Sequence, residues 1–400
     1  MVLVRHCSDS RFVYNLGLEQ RKFYRSDRVT KINTATQMRE LTEARKSFSW
    51  LAEGSSSVQQ AALRDLDRAF QNWWKNPGHF SHPTWRKAGL NEGFCVRDLS
   101  VRKLNRKWGE VLVPKAGWVR FRLSRPWAEI EASTSARITL DRSDRWHVSF
   151  TQSQPQLVRE PTGEVVGIDM GIASSVTTSD GTHLRMPKLL SPGESQRKRR
   201  LQRKLSRQKK GSNRRARTKL QIAKLSARET DRRKDWVEKT TTDLVRSYDL
   251  IAIEDLKVKN MSRSSKGTKE KPGKNVAQKR GLNRSRQSQA WALFRKRLED
   301  KAVNASSSVL VVPINPQFTS QTCPQCERAA KKNRKSQAVF ICINCGYEAN
   351  ADINAAQNIL TAGLGPLWGV TGRRGTLQQK PVRAEHSGPA KRQLSEGLVA

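Results

Sequence analysis

The chain has 400 residues, with 76 Lys and Arg against 36 Asp and Glu, a net charge of +40 and a pI near 10.8. That length accommodates two to four domains, and so unbalanced a chain repels itself unless a polyanion such as nucleic acid neutralises it. No apolar run of 18 residues, no secretory signal and only six cysteines argue against a spanning helix, a secreted chain and a disulfide scaffold, and lead us to expect a reducing cytoplasmic setting.

Residues 8–77 carry helical periodicity. RFVYNLGLEQRKFYR places Phe12, Leu16, Leu18 and Phe23 among charges. SSVQQAALRDLDRAFQNWWKN has a Ser start and apolar Val58, Ala62, Leu66, Phe70 and Trp73 near a 3.6 period. A small helical bundle with no special role fits the same pattern. Residues 78–92 read as loop. From 93 to 158, alternation and β-branched residues (GEVLVPKAGWVRFRL, ARITLDRSDRWHVSF) predict short strands. These suit a small oligonucleotide-binding barrel or sandwich, and equally a purely structural β domain.

EVVGIDMGIASSVTTSDGTHLRM, 164–186, predicts a hairpin with Asp169 near the middle of its first strand and a turn at Asp180-Gly181. Residues 197–234 hold 18 Lys/Arg against only Glu229 and Asp231. Gly211-Ser212-Asn213 divides this run into a basic helical hairpin suited to nucleic acid. YDLIAIEDL predicts a buried strand ending at Glu254-Asp255. Residues 257–289 are polar and read as a mobile loop. SQAWALFRKRLEDKAV predicts an amphipathic helix and SVLVVPIN another strand. ADINAAQNIL is a helix with Asp352 in its first turn, and the tail from 365 is expected to be disordered.

Cys323, Cys326, Cys342 and Cys345 form two C-x2-C pairs separated by fifteen residues. That spacing fits one tetrahedral Zn²⁺ held by four thiolates. The site is coordinately closed and therefore structural. Gly346 helps the second knuckle turn, and the basic KKNRK between the pairs suits a phosphate.

Asp169, Glu254 and Asp352 each accompany a buried β run or open a helix. A hairpin–helix–β–helix–β–helix order can build an RNase H-like sheet with these carboxylates converging at one edge. Converging acids in so basic a chain need a cation. Two Mg²⁺ ions about 4 Å apart would clamp a phosphodiester, with the stiff cysteine ribbon positioning substrate beside the third acid.

GIDMG, IAIEDLKVKNMS, GLNRS, NPQFTSQTCPQC and NRKSQAVFICINCGYEANADINAAQNIL resemble the TnpB (OrfB) proteins of bacterial transposons and, equally, the compact type V CRISPR effectors. RFVYNLGLEQRK and VQQAALRDLDRAFQNWW resemble the same family's helical region, so the likeness spans about 5–365. It implies an RNA-guided DNA endonuclease of multidomain α+β class. The expected parts are a RuvC-type, RNase H-like nuclease domain with an inserted zinc ribbon, a β-barrel wedge domain and a helical recognition domain.

The implied division is 1–7 wedge remnant, 8–77 recognition domain, 78–158 wedge, and 159–317 first part of the nuclease domain, including a basic hairpin at 193–236. A zinc ribbon at 318–348 that binds target nucleic acid, the last nuclease part at 349–364 and a tail at 365–400 complete it. The resemblance implies catalysis and Mg²⁺ binding by Asp169, Glu254 and Asp352, with Zn²⁺ on the four cysteines. The partners expected are a guide RNA and double-stranded DNA bearing a short adjacent motif, with no membrane, around a monomer or homodimer close to the prokaryotic nucleoid. Asn15, Lys75, Arg199, Arg200, Arg203, Arg207, Arg214, Arg284 and Arg334 are candidate nucleic-acid contacts. Two positions depart from the family pattern: only MVLVRHC stands where a first wedge strand is usual, and Glu327 stands where glycine is usual. Three rival readings use the same residues: an RNA-guided binder that represses without cutting, a transposase, and a plain zinc-ribbon RNA-binding protein.

Overall fold

The computed structural model describes residues 1–24, 32–152 and 156–368. The chain divides into two compact units, Met1–Pro155 with Leu190–Asp231, and Gln156–Leu189 with Arg232–Ala400.

The first unit begins with helices α1 (Val2–Lys22), α2 (Thr34–Ser47), α3 (Ser49–Ala52) and α4 (Ser56–Lys75). Ser55 caps α4 through the Val58 N–H, as the Ser start predicts. Val13, Leu18, Leu41, Leu63, Leu66 and Phe70 form one core between these helices. The strands follow as β1 (Glu92–Val96), β2 (Val101–Lys103), β3 (Trp108–Val113) and β4 (Gly117–Arg122), a short helix α5 (Trp127–Glu131), then β5 (Ser135–Leu140) and β6 (Trp146–Thr151). They form two three-stranded antiparallel sheets, β1-β5-β6 and β2-β3-β4. Phe94, Val96, Val111, Val113 and Ile138 from both sheets share a core with Cys7 and Val58.

One expectation is corrected here. Residues 2–7, anticipated as a remnant of the β domain, are the opening turns of α1. The stretch VLVRHC is too short to choose between periods. Burial of Cys7 and of His6, whose Nε2 lies 2.8 Å from the Pro114 carbonyl oxygen, decides it.

The second unit is built on one five-stranded sheet. β7 (Val165–Asp169), β8 (Val176–Thr178) and β9 (His183–Leu184) form an antiparallel meander. The chain then makes α6 (Pro192–Arg207), opened by a Ser191/Glu194 capping box, and α7 (Asn213–Ser247). Gly211, at φ +85°, makes the break between them. Residues 190–231 of this hairpin group with the first unit rather than with the sheet. β10 (Leu250–Glu254), α8 (Val258–Met261), α9 (Val276–Gln289), α10 (Trp291–Val303) and β11 (Leu310–Ile314) follow. β10 lies parallel to both β7 and β11, giving the order β11-β10-β7-β8-β9. Pro313 is tolerated because β11 is an edge strand.

Over 257–289, expected as a mobile loop, helix appears only at 258–261, in α8, and at 276–289, in α9. The α9 sequence, VAQKRGLNRSRQSQ, has no apolar period, and side-chain bonds to backbone hold it instead. The Asn283 amide donates to the Ser262 and Arg263 carbonyls, and Lys279 and Arg286 donate to that of Met261. Such polar, non-local anchors leave no periodic trace.

Two cores sandwich the sheet. Val166, Ile168, Ile251 and Ile253 pack against Val237, Leu244, Trp291, Phe294 and Leu298 on one face. Leu250, Ala252 and Ile314 meet Ile359 on the other, from the last helix, α11 (Ala351–Trp368). Between β11 and α11 lies the cysteine ribbon, with β12 (Val339–Ile341) antiparallel to β13 (Glu348–Asn350). Among the described residues no helix is long and apolar enough to cross a membrane. Residues 369–400 of the anticipated tail lie outside the described residues, and 365–368 continue α11.

Candidate active site and metal centre

Sheet register places the first two acids. β7 and β10 run parallel with Ile168 opposite Ile253, so Asp169 and Glu254 end neighbouring strands one strand spacing apart, about 4.8 Å between backbones. Side chains alternate across a strand. Val166, Ile168, Ile251 and Ile253 fill one core, so Asp169 and Glu254 share the opposite face, where α11 packs.

α11 approaches closely because Gly167 has no side chain. A Cβ there would stand 2.1 Å from the Ala356 carbonyl oxygen. Gly363 does the same lower on the helix, where a Cβ would meet Ala252 at 2.6 Å. Asn350 caps the helix, its side-chain oxygen accepting from the Asp352 and Ile353 N–H groups at 2.9 and 3.3 Å. Asp352 thus sits in the first turn over the sheet edge.

The three carboxylates feel one another. Burial, then the negative charges of Glu254 and Asp352, push Asp169 up from 3.8 to about 7, against the pull of Arg334. Burial also raises Glu254, opposed by a hydrogen bond from the Thr319 hydroxyl, 2.7 Å to Oε1, and by Arg334. Arg334 reaches in from the ribbon, its guanidinium 3.2 Å from Asp352 Oδ1 and bonded to the Ser336 and Gln337 carbonyls. Carboxylates of this kind on one face, with Asp169 and Glu254 buried, suit a hard divalent cation. The set is looser than the cysteine cluster: among the described residues only the cysteines bring all ligand atoms within 4.8 Å of one another.

The four cysteines fit zinc closely. Cys323 and Cys345 sulfurs are 3.6 Å apart, and those of Cys326 and Cys342 are 3.5 Å apart. A disulfide needs about 2.05 Å, whereas a tetrahedron of 2.3 Å Zn–S bonds spaces its sulfurs by about 3.8 Å. The Arg328 N–H leads in pulling the Cys326 thiol down to about 6. Cys345, although the Tyr347 N–H pulls it down, is pushed to about 12 by burial and the other three sulfurs. Four thiolates crowd together only around a cation. Gly346 turns the second knuckle at φ +72°. Glu327 takes the matching left-handed place in the first at φ +59°, where the missing glycine would have been unstrained.

The remaining candidates divide. Arg200, Arg203, Arg207 and Arg214 line a cleft of about 730 Å³ between α6 and α7, together with Lys204, Arg217 and Gln221. They and Arg199 are exposed, and none has a carboxylate partner among the described residues. Lys75 ends α4 and Arg284 lies on α9, both exposed. Asn15 does something else: its amide donates to the Arg86 carbonyl at 3.0 Å and accepts the Arg86 N–H at 2.8 Å, a clamp within the first unit. Thr319, Asn350, Asn354 and Asn358 were not singled out from sequence. The four-residue spacing of the three asparagines along ANADINAAQN was the available signal.

A mixed α/β chain with acids on one face of a five-stranded sheet and a four-cysteine cluster between the second and third defines a class by its fold. A Cas12f1 chain from a cryo-EM complex with sgRNA and target DNA shares this fold at TM-score 0.54, over 89% of this chain and 81% of that one, at 12% identity. Sequence comparison refines the class. The family described as probable transposase matches residues 147–265, and the Cas12f1-like TNB domain matches 291–359. A putative RNA-guided DNA endonuclease, InsQ, of Escherichia coli (strain K12) is 38% identical over 78% of this chain and 76% of its own length. A putative RNA-guided DNA endonuclease of Streptomyces pristinaespiralis is 32% identical over 88% and 83%. The chain belongs to the TnpB (OrfB) family.

Proposed function

We propose that this chain is an RNA-guided DNA endonuclease that hydrolyses phosphodiesters beside a short adjacent motif. The relatives that cover most of its length bear that activity in their names. The observation that carries the reading is the gathering of Asp169, Glu254 and Asp352 on one side of the five-stranded sheet, where burial first, and then the charges of Glu254 and Asp352, lift the Asp169 carboxyl to about 7.

These carboxylates would hold Mg²⁺, which would supply an activated water and charge stabilisation at the leaving oxygen. Glu254, fixed by Thr319, offers a rigid oxygen. Asp352 offers one from the start of a helix. Asp169, held at about 7 by burial and its acidic neighbours, would offer its carboxylate once a bound cation offsets them. Arg334 is a counter-charge among the acids and stands where it can turn from Asp352 to a phosphate. Zn²⁺ on the cysteines would stiffen the ribbon carrying Arg334, which answers why a knuckle precedes the third acid.

We assign the helices of 8–77 and the two sheets after residue 92 to recognition and wedge roles. The unpaired arginines of α6 and α7 would hold guide or target backbone, at prokaryotic nucleoid DNA. RNA copurified with the protein tests this: a defined structured species with a variable end supports guidance, and random RNA refutes it. Loaded protein that binds but never cuts target in Mg²⁺ would favour repression, and strand transfer without RNA would favour a transposase.

A further inference from the structure

The segment 316–322 runs from β11 into the first cysteine pair and touches both ends of the acid site. The Thr319 hydroxyl, 8% exposed, donates to Glu254 Oε1 at 2.7 Å, with Glu254 itself 7% exposed. It also lies 3.2 Å from the Pro316 carbonyl oxygen. The Asn358 amide donates to the Thr319 and Thr322 carbonyls, both at 2.8 Å, and that of fully buried Asn354 donates to the Thr322 carbonyl at 3.1 Å. Both asparagines lie on α11, two and six residues beyond Asp352, and Thr322 directly precedes Cys323. Phe318 sits between at φ +65°, a conformation costing a bulky residue roughly 1–3 kcal/mol unless its surroundings fix it.

We propose that Thr319 is a positioning residue for Glu254, and that 316–322 is a strap through which the cysteine ribbon sets Glu254 and the Asp352 helix together. A buried carboxylate with no donor turns toward whatever polarity it finds. Thr319 fixes one oxygen of Glu254 and leaves the other directed for a metal. Asn354 and Asn358 hold the strap to the same helix that carries Asp352, so side-chain amides, beside the packing of α11 on the sheet at Gly167 and Gly363, tie the second acid to the third. Among the described residues Thr319 alone donates a side-chain hydrogen bond to Glu254.

This rests on the nuclease reading, and the test separates the two. Full-length wild type, Thr319→Val, which keeps the shape without the donor, and Thr319→Ser, which keeps the donor, are compared without added RNA for Mn²⁺ affinity by EPR of free Mn²⁺. The same proteins with guide and target are compared for cleavage. Zinc content and melting temperature report folding. The expected result is a tenfold or greater loss of Mn²⁺ affinity and of cleavage rate in T319V with one zinc retained, and recovery to within about twofold in T319S. Equal Mn²⁺ binding by T319V and wild type overturns the proposal, as does T319S as impaired as T319V. If T319V loses its zinc, Asn358→Leu, which cuts the strap and leaves the hydroxyl, must weaken Mn²⁺ affinity at least threefold; unchanged affinity overturns it. A wild type that binds Mn²⁺ yet cuts nothing refutes the nuclease reading and leaves positioning to the Mn²⁺ ratio.

Discussion

Replacing Asp169 with Asn should stabilise the metal-free protein at alkaline pH. The folded protein lifts this carboxyl from 3.8 to about 7, through burial and then through Glu254 and Asp352. A raised folded pKa means that the neutral acid fits better than the carboxylate. Stability is therefore intact below about pH 4, falls as pH rises from 4 to 7, and stays low above 7. About three units at ~1.4 kcal/mol each set a ceiling near 4 kcal/mol; with relaxation of the site, about 2–4 kcal/mol is expected. Asn mimics the neutral acid, so D169N should match wild type at pH 4 and exceed it at pH 8. For a unit of about 200 residues that is roughly 4–12 °C in the melting transition. The assay is differential scanning calorimetry in EDTA at both pH values, with RNA removed by high salt and zinc content checked. Saturating Mg²⁺ should narrow the gap by stabilising wild type alone. Equal melting temperatures at pH 8, or a gap independent of pH, would refute the raised pKa that burial and the neighbouring acids give Asp169.

Gly167→Ala should destabilise the second unit by at least 3 kcal/mol, because its Cβ would meet backbone rather than a movable side chain; a melting scan checks this. Cys342→Ser should bring zinc below one equivalent per chain by elemental analysis, loosen the ribbon and abolish cutting while RNA binding persists. Changing Arg200, Arg203 and Arg207 together to Ala should flatten the slope of log affinity against log salt by about 2–3, measured on RNA by filter binding, with zinc content and melting unchanged.

What the sequence made legible was whatever is local. Two C-x2-C pairs point to one four-cysteine cluster from spacing alone, and an apolar run ending in acid marks Glu254 as a strand end, whereas Asp169, expected near the middle of its strand, ends β7. The family likeness then connects these acids with Asp352. What stayed hidden depends on distant partners. α9 holds its shape through bonds to residues 261–263, and the helical start of α1 depends on a β core that only the folded chain assembles. The clamp that Asn15 makes has no local trace either, since the backbone it holds lies 71 residues away. Arg334 was legible only as a basic residue in a basic stretch; its place among the acids follows from the ribbon's turn back onto α11. Thr319 gave no sign, since one hydroxyl in a loop acquires meaning only when Glu254 is beside it.

The most direct measurement is cleavage of a matched DNA duplex by the RNA-loaded protein in Mg²⁺, for wild type beside Asp169→Ala, Glu254→Ala and Asp352→Ala, with target binding followed in parallel. Wild type should cut, and each variant should bind the target yet lose at least a hundredfold in rate, with EDTA stopping the remainder. Cutting by any of the three at the wild-type rate would contradict the assignment of catalysis to these carboxylates.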